Sequence, residues 1–171
     1  MTDRMTPPLQ VRPLATPHEA EWCATLMAGS KPWLTLRRTF EASLRLIQDP
    51  TREVYLAKSG TERAGFLILS LAGPLPGYLQ TICIAPDSRR KGLGSQLLAF
   101  AEARIFQVSP NVFLCVSSFN PEARRLYERS RYVLVGELRD FLVPGHCELL
   151  FRKSLGAWSE FVPSNERARE E

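Results

Sequence analysis

Histidine and cysteine are scarce in this sequence, and they are not clustered. The 171 residues hold two histidines, His18 and His146, and four cysteines, Cys23, Cys83, Cys115 and Cys147, with no C-x-x-C pair. A structural zinc site and a disulfide framework both need grouped ligands, so neither is expected, and no metal is assigned. The cysteines read as small buried apolar residues or bystanders. Long apolar runs are also lacking. The longest, AGFLILSLAG from Ala64 to Gly73, is far short of the roughly 20 residues that span a bilayer. The opening MTDRMTPPLQ has no signal-peptide core, so a cytoplasmic protein without a membrane partner is expected. A G-x-x-x-x-G-K-[ST] phosphate loop, an internal repeat and a low-complexity tract are all missing.

What is present is an ordinary globular composition, 44% hydrophobic and 23% charged, with a surplus of cations. The formal net charge is +4 and the sequence pI about 9.1. That surplus is compatible with nucleic acid, with a solvated arginine-rich surface, or with a small polyanionic ligand. Aromatic and basic residues are not interleaved as in a nucleic-acid surface, so nucleic acid is not expected as a partner.

Residues 1–8 read as a loose arm, 9–154 as one folded domain and 155–171 as a polar tail. LQVRPL alternates as a strand. Thr16, Pro17 and Gly29 punctuate a first helix. TLRRTFEASLRLIQD, with Leu36, Phe40, Leu44 and Ile47 on one face, reads as a second. REVYLAK and ERAGFLILSLAG form strands around a turn at Ser59 and Gly60, and the apolar YLQTICIA reads as a central strand. A helix with Leu97, Leu98, Ala101 and Ile105 inward follows, then the strand NVFLCVS. Asn120 and Pro121 open another helix, and two last strands meet around Pro144 and Gly145. The fold class expected is mixed α/β, one sheet with helices on both faces.

Between the central strand and its helix stands RRKGLG, Arg89 to Gly94. Helix starts carry partial positive charge, so Arg89, Arg90 and Lys91 oppose local electrostatics unless an anion joins them. Gly92 and Gly94 allow an anion to approach the backbone N–H groups at the helix start. A dinucleotide fingerprint is excluded because Leu97 stands where the third glycine belongs. The remaining pattern, R-x-x-G-x-G after a strand ending in IAP, resembles the coenzyme A loop of the GNAT N-acetyltransferase superfamily. Asn120, Ala123 and Tyr127 stand at the family's N-x-x-A-x-x-x-Y spacing, and the βααβββαβαββ order matches over residues 9–153. One departure is visible. The family usually ends that helix with Gly then Phe, where this chain has Arg131 and Tyr132.

The resemblance implies a seven-stranded, mostly antiparallel sheet with splayed central strands, and acetyl-coenzyme A as co-substrate. Its pyrophosphate is expected on the backbone from Arg90 through Leu93 and Gly94 to Ser95. Its pantetheine arm is expected along Ile82, Cys83 and Ile84, with Asn120 and Tyr127 beside it. The Ile84 N–H is expected to face the thioester oxygen, and Tyr127 to be the general acid, since a phenol holds its proton at neutral pH. An amine attacks directly, with no covalent enzyme intermediate. The base is open among Glu148, His146 and a water chain. Trp33, Phe141 and Leu142, with His146, are expected to frame a site for an amine on a small molecule or a peptide N-terminus, in a monomer or homodimer. NPEARRLYE is similar to the RimI-type branch that modifies a protein N-terminus. That branch carries a glutamate where Cys115 stands here. The alternatives are a catalytically silent coenzyme A-binding module and, further off, a nucleic-acid-binding protein.

Overall fold

A computed structural model describes residues 8–164; residues 1–7 of the expected arm and 165–171 of the expected tail lie outside the described residues. Strands β1 (Leu9–Pro13), β2 (Glu53–Ser59), β3 (Glu62–Ser70), β4 (Tyr78–Ile84), β5 (Asn111–Ser117), β6 (Val133–Arg139) and β7 (Cys147–Ser154) form one sheet in the order β1-β2-β3-β4-β5-β7-β6. Every neighbouring pair is antiparallel except β4 and β5. Helices α1 (Pro17–Ala28) and α2 (Phe40–Ile47) pack on one face, α3 (Leu93–Ile105) and α4 (Pro121–Arg129) on the other. This is the mixed α/β architecture expected. Among the described residues, no helix is long and apolar enough to cross a membrane.

The two faces explain the unbroken apolar run of β3. Side chains alternate across a strand. Phe66 and Ile68 are buried beneath α1 and α2 with Cys23 and Met27, while Leu67 and Leu69 are buried beneath α3 with Leu97 and Ile105. A strand covered on both sides has no polar face to show.

Capping sets the helix starts. Thr16 accepts from the Glu19 N–H, and Asn120 from the Ala123 N–H at 3.3 Å, as their positions predict. The second helix is shorter than its periodicity predicts. Thr39, extended at φ −84° and ψ 166°, is its cap and accepts from the Ala42 N–H at 3.1 Å. Just before it, Arg37 has φ 53°, which no α-helix tolerates. The chain from Lys31 to Arg37 is therefore turns, and Leu36 leaves the helix face for the cleft described below.

β4 and β5 share one bridge, Tyr78 opposite Phe113, beside a bond from the Phe113 N–H to Gly77 O of 3.0 Å. At Gly77 the strands come so close that a Cβ would sit 2.2 Å from Asn111 O, so only glycine fits. Beyond Tyr78 the two strands part. The β3–β4 register slips by one residue at Gln80, a bulge that increases local twist. The result is a V-shaped opening in the middle of the sheet.

Arg131 occupies the left-handed region at φ 67° just past the end of α4, the conformation for which glycine was expected there. Its exposed side chain makes no ion pair among the described residues. A left-handed L-residue costs about 1–2 kcal/mol, while glycine returns up to about 1 kcal/mol by loosening the unfolded chain. Arg131→Gly is expected to stabilise the fold by about 0.5–1 kcal/mol, a rise of roughly 1–4 °C in Tm for a domain of this size. A calorimetric scan checks it.

Candidate active site

The turn after β4 is built around an uncapped helix start. α1, α2 and α4 each have a side-chain cap, but α3 has none and has no acidic residue in its first turn. Its cap position is Gly92, at φ 74°. Arg90, at φ 58°, is left-handed as well, so successive N–H groups turn toward one concavity. Arg89, Arg90 and Lys91 make no ion pair among the described residues; Arg89 Nε donates to Ile84 O at 3.1 Å, and Lys91 Nζ to Asp87 O at 2.7 Å. Ser95, Arg90 and Gly94 line a groove toward Ala123 and Leu126 of α4. A helix start without a capping side chain, cations without a carboxylate partner among the described residues, and an open approach at Gly92, where a Cβ would meet nothing within 4 Å, fit a pyrophosphate.

The backbone of β4 feeds the same opening. Ala85 N–H donates to Ala64 O of the β3 side at 2.8 Å. Antiparallel residues alternate between facing and avoiding the partner strand. By that alternation Ile84 and Ile82 turn their N–H and C=O groups away from β3, toward the gap left by β5. The Arg89 bond to Ile84 O confirms the direction at Ile84. Cys83 differs from its neighbours: its peptide faces β3 and its side chain is buried against α1.

Within the V, between Tyr78–Ile82 of β4 and Cys115–Ser117 of β5, lies a cavity of about 150 Å³. Trp33 and Leu36 from the α1–α2 connection and Phe141 and Leu142 from the β6–β7 loop form its apolar wall. Tyr127 and Glu148 both line it. Tyr127 is buried, edge-on to Tyr132 with ring centroids 5.7 Å apart, and burial pushes its phenol up to about 12. Glu148 is only 4% exposed, a buried carboxylate. It faces Ser117 across the β5–β7 ladder and accepts from Ser117 Oγ at 2.5 Å. Burial raises its carboxyl above the ordinary value, and the Ser117 hydroxyl and the charge of His146 partly offset that.

The structure thus gathers Tyr127, Glu148, Trp33, Phe141, Asn120 and Ile82 around one cavity. Ile84, Arg89, Arg90 and Gly92 to Ser95 line the neighbouring groove, with Leu93 itself buried; Lys91 does not line it, and its Nζ donates to Asp87 O. His146 does not line the cavity; its ring packs edge-on against Phe119 at 4.8 Å. Sequence reasoning missed Arg38 and Tyr78. Arg38 lines the cavity from the α1–α2 connection, and its Nε is shut off from solvent without a hydrogen bond among the described residues. Tyr78 lies against Cys115 in the cavity wall, and burial raises its phenol. All four cysteines are free, and among the described residues no group of three or more His, Cys, Asp or Glu could hold a metal ion.

Residues 16–131 match the acetyltransferase (GNAT) family. Among solved structures, the ribosomal-protein-S18-alanine N-acetyltransferase from Escherichia coli superposes with a TM-score of 0.72 at 15% identity, over 91% of this chain and 99% of that one. An acetyltransferase from Thermus thermophilus gives 0.66 at 24% identity, over 86% and 97%. A spermidine N-acetyltransferase from Vibrio cholerae, solved with CoA and spermine, gives 0.68 at 19% identity, over 85% and 95%. No curated protein matches the sequence significantly.

Proposed function

This chain belongs to the acetyltransferase (GNAT) family, and on that premise we propose that it is a cytoplasmic N-acetyltransferase acting on a primary amine by direct attack. The observation that carries the reading is the pairing of an uncapped, cation-flanked helix start with a neighbouring cavity, in one V-shaped opening, lined by a phenol and a buried carboxylate. Acetyl-coenzyme A supplies the acetyl thioester. The backbone from Arg90 to Ser95 holds its pyrophosphate, with Arg89, Arg90 and Lys91 adding charge. Such a compact cation cluster suits a small polyanion, whereas duplex binding spreads its charge along a groove.

Ile84 N–H is free to donate to an oxygen that gains negative charge as the amine attacks. Glu148 takes the proton that the amine gives up, and Tyr127 gives one to the departing sulfur. The C–N bond forms as the C–S bond breaks, and both side chains exchange protons with solvent between turnovers. A carboxyl raised by burial is a stronger base than an exposed one, and a phenol held near 12 stays protonated at neutral pH. The lining carries one carboxylate among the described residues, so neutral or singly charged amines fit it better than polyamines or aminoglycosides.

The pH dependence tests these roles. A base must be deprotonated, so kcat/KM should rise with pH through an apparent pKa above the ordinary glutamate value near 4.5, because burial raises Glu148. Glu148→Gln should remove that rise and lower the plateau by roughly 10²- to 10⁴-fold. An unchanged profile in the variant assigns the proton to a water chain.

A further inference from the structure

Arg38 is the cationic side chain of the cavity lining, and Glu148 the anionic one; no other charged residue lines it among the described residues. Arg38 comes from the turn segment that closes the cavity beside Trp33, where its N–H donates to Trp33 O at 3.0 Å. The apolar and aromatic part of the same lining comprises Trp33, Leu36, Phe141 and Leu142. Arg38 makes no ion pair among the described residues, and its Nε has no hydrogen bond there although it is shut off from solvent. Burial draws its guanidinium down from its ordinary value.

Arg38 is half-buried, and its Nε is a donor closed off from water with no acceptor, which is an unfavourable arrangement. A surface arginine can turn its donors to water, but an Nε closed off from solvent cannot. Among the described residues, no hydrogen bond or ion pair within the fold uses that donor. The arrangement makes sense when the partner arrives with the acceptor. Guanidinium donors match a carboxylate in planar, two-point geometry. The cavity, about 150 Å³, is below the usual 300–1,000 Å³ of drug-sized ligand pockets, which favours a compact molecule.

We propose that Arg38 is the specificity-determining residue of the acceptor site, and that the acceptor is a small amine bearing a carboxylate, its amine directed to Glu148 and its carboxylate to the Arg38 guanidinium. The inference rests on the acetyl-transfer reading and narrows its acceptor to amino-acid-like zwitterions. The opposed charges also orient the molecule, because the reversed pose sets like against like. The same pairing disfavours a polycation, whose second ammonium would meet Arg38.

The test compares matched acceptors: amino acids, their carboxamides and the corresponding decarboxylated amines, each followed by thiol release from acetyl-coenzyme A. In wild type the carboxylate member of each set should have the highest kcat/KM, chiefly through a lower KM. Arg38→Gln should lower kcat/KM for the carboxylate by roughly 10- to 100-fold, the scale of a charge-assisted hydrogen bond, and for the carboxamide by clearly less, so that the ratio between them falls. Arg38→Lys should recover part of the loss. The melting temperature of each variant reports folding, and the wild-type comparison needs no variant. A carboxamide or bare amine that matches or beats the carboxylate in wild type overturns the inference and leaves acetyl transfer standing. So does a ratio that Arg38→Gln does not change. Absence of thiol release with every amine, while acetyl-coenzyme A still raises Tm, overturns the transfer reading and this inference with it.

Discussion

Tyr127→Phe is expected to lower kcat by roughly ten- to ten-thousand-fold, the range of a general acid, while the rise in Tm caused by acetyl-coenzyme A stays as in wild type. The ring contributes to the core: it is buried and packs edge-on to Tyr132. Phenylalanine keeps that ring and removes the hydroxyl alone, so folding should be little affected. The departing thiolate then has no donor at hand. Because the hydroxyl acts as the C–S bond breaks, the loss belongs in kcat and not in KM. Stopped-flow thiol detection with saturating substrates checks it. Wild-type turnover in the variant returns Tyr127 to a packing role.

Gly92→Val is expected to abolish acetyl-coenzyme A binding at concentrations that saturate wild type. Space is not the obstacle, since a Cβ at Gly92 meets nothing within 4 Å. The backbone is: φ is 74°, and a β-branched residue resists that conformation more than any other. Relaxing φ swings the peptide planes of the turn and scatters the N–H groups that converge at the α3 start. The strain itself costs about 1–2 kcal/mol of stability, so a lower Tm alone is uninformative. Gly73→Val separates the two effects. Gly73 has φ 105° and also meets nothing within 4 Å, but it lies in the β3–β4 loop away from the turn. Both variants should melt earlier, and only Gly73→Val should still be stabilised by the ligand through mass action. An equal ligand-induced shift in both variants would remove the turn from the binding site.

Local chemistry was the legible part of the sequence. Thr16 and Asn120 cap their helices through bonds to residues three positions on, a pattern that sequence spacing carries directly. The inner stripe of α3 was legible for the same reason, one face repeating every turn. Leu36 shows how that periodicity misleads. It falls in helical register with Phe40, Leu44 and Ile47, but Thr39 offers a competing cap and the chain takes it.

The cleft was legible only in part. Trp33, Phe141 and Tyr127 could be placed beside it only through the resemblance to the acetyltransferase family. Glu148 could not be separated from His146 or a water chain as the base, because its burial depends on the register of β7 against β5 and on the loops that fold over it, which are long-range facts. Arg38 stands in a run of apparent helix cations, and nothing local separates it from Arg37, which is exposed. His146 sits near Glu148 in sequence, yet its ring turns to Phe119.

The central claim is acetyl transfer to an amine, and product mass spectrometry tests it most directly. Purified protein is incubated with acetyl-coenzyme A and a panel of amino acids, simple amines and short peptides with free N-termini. Free thiol should appear in step with a singly N-acetylated amine, and Glu148→Gln and Tyr127→Phe should each suppress both. Binding of acetyl-coenzyme A with no acetylated product from any member of the panel would contradict the account and identify the chain as a coenzyme A-binding module without transferase activity.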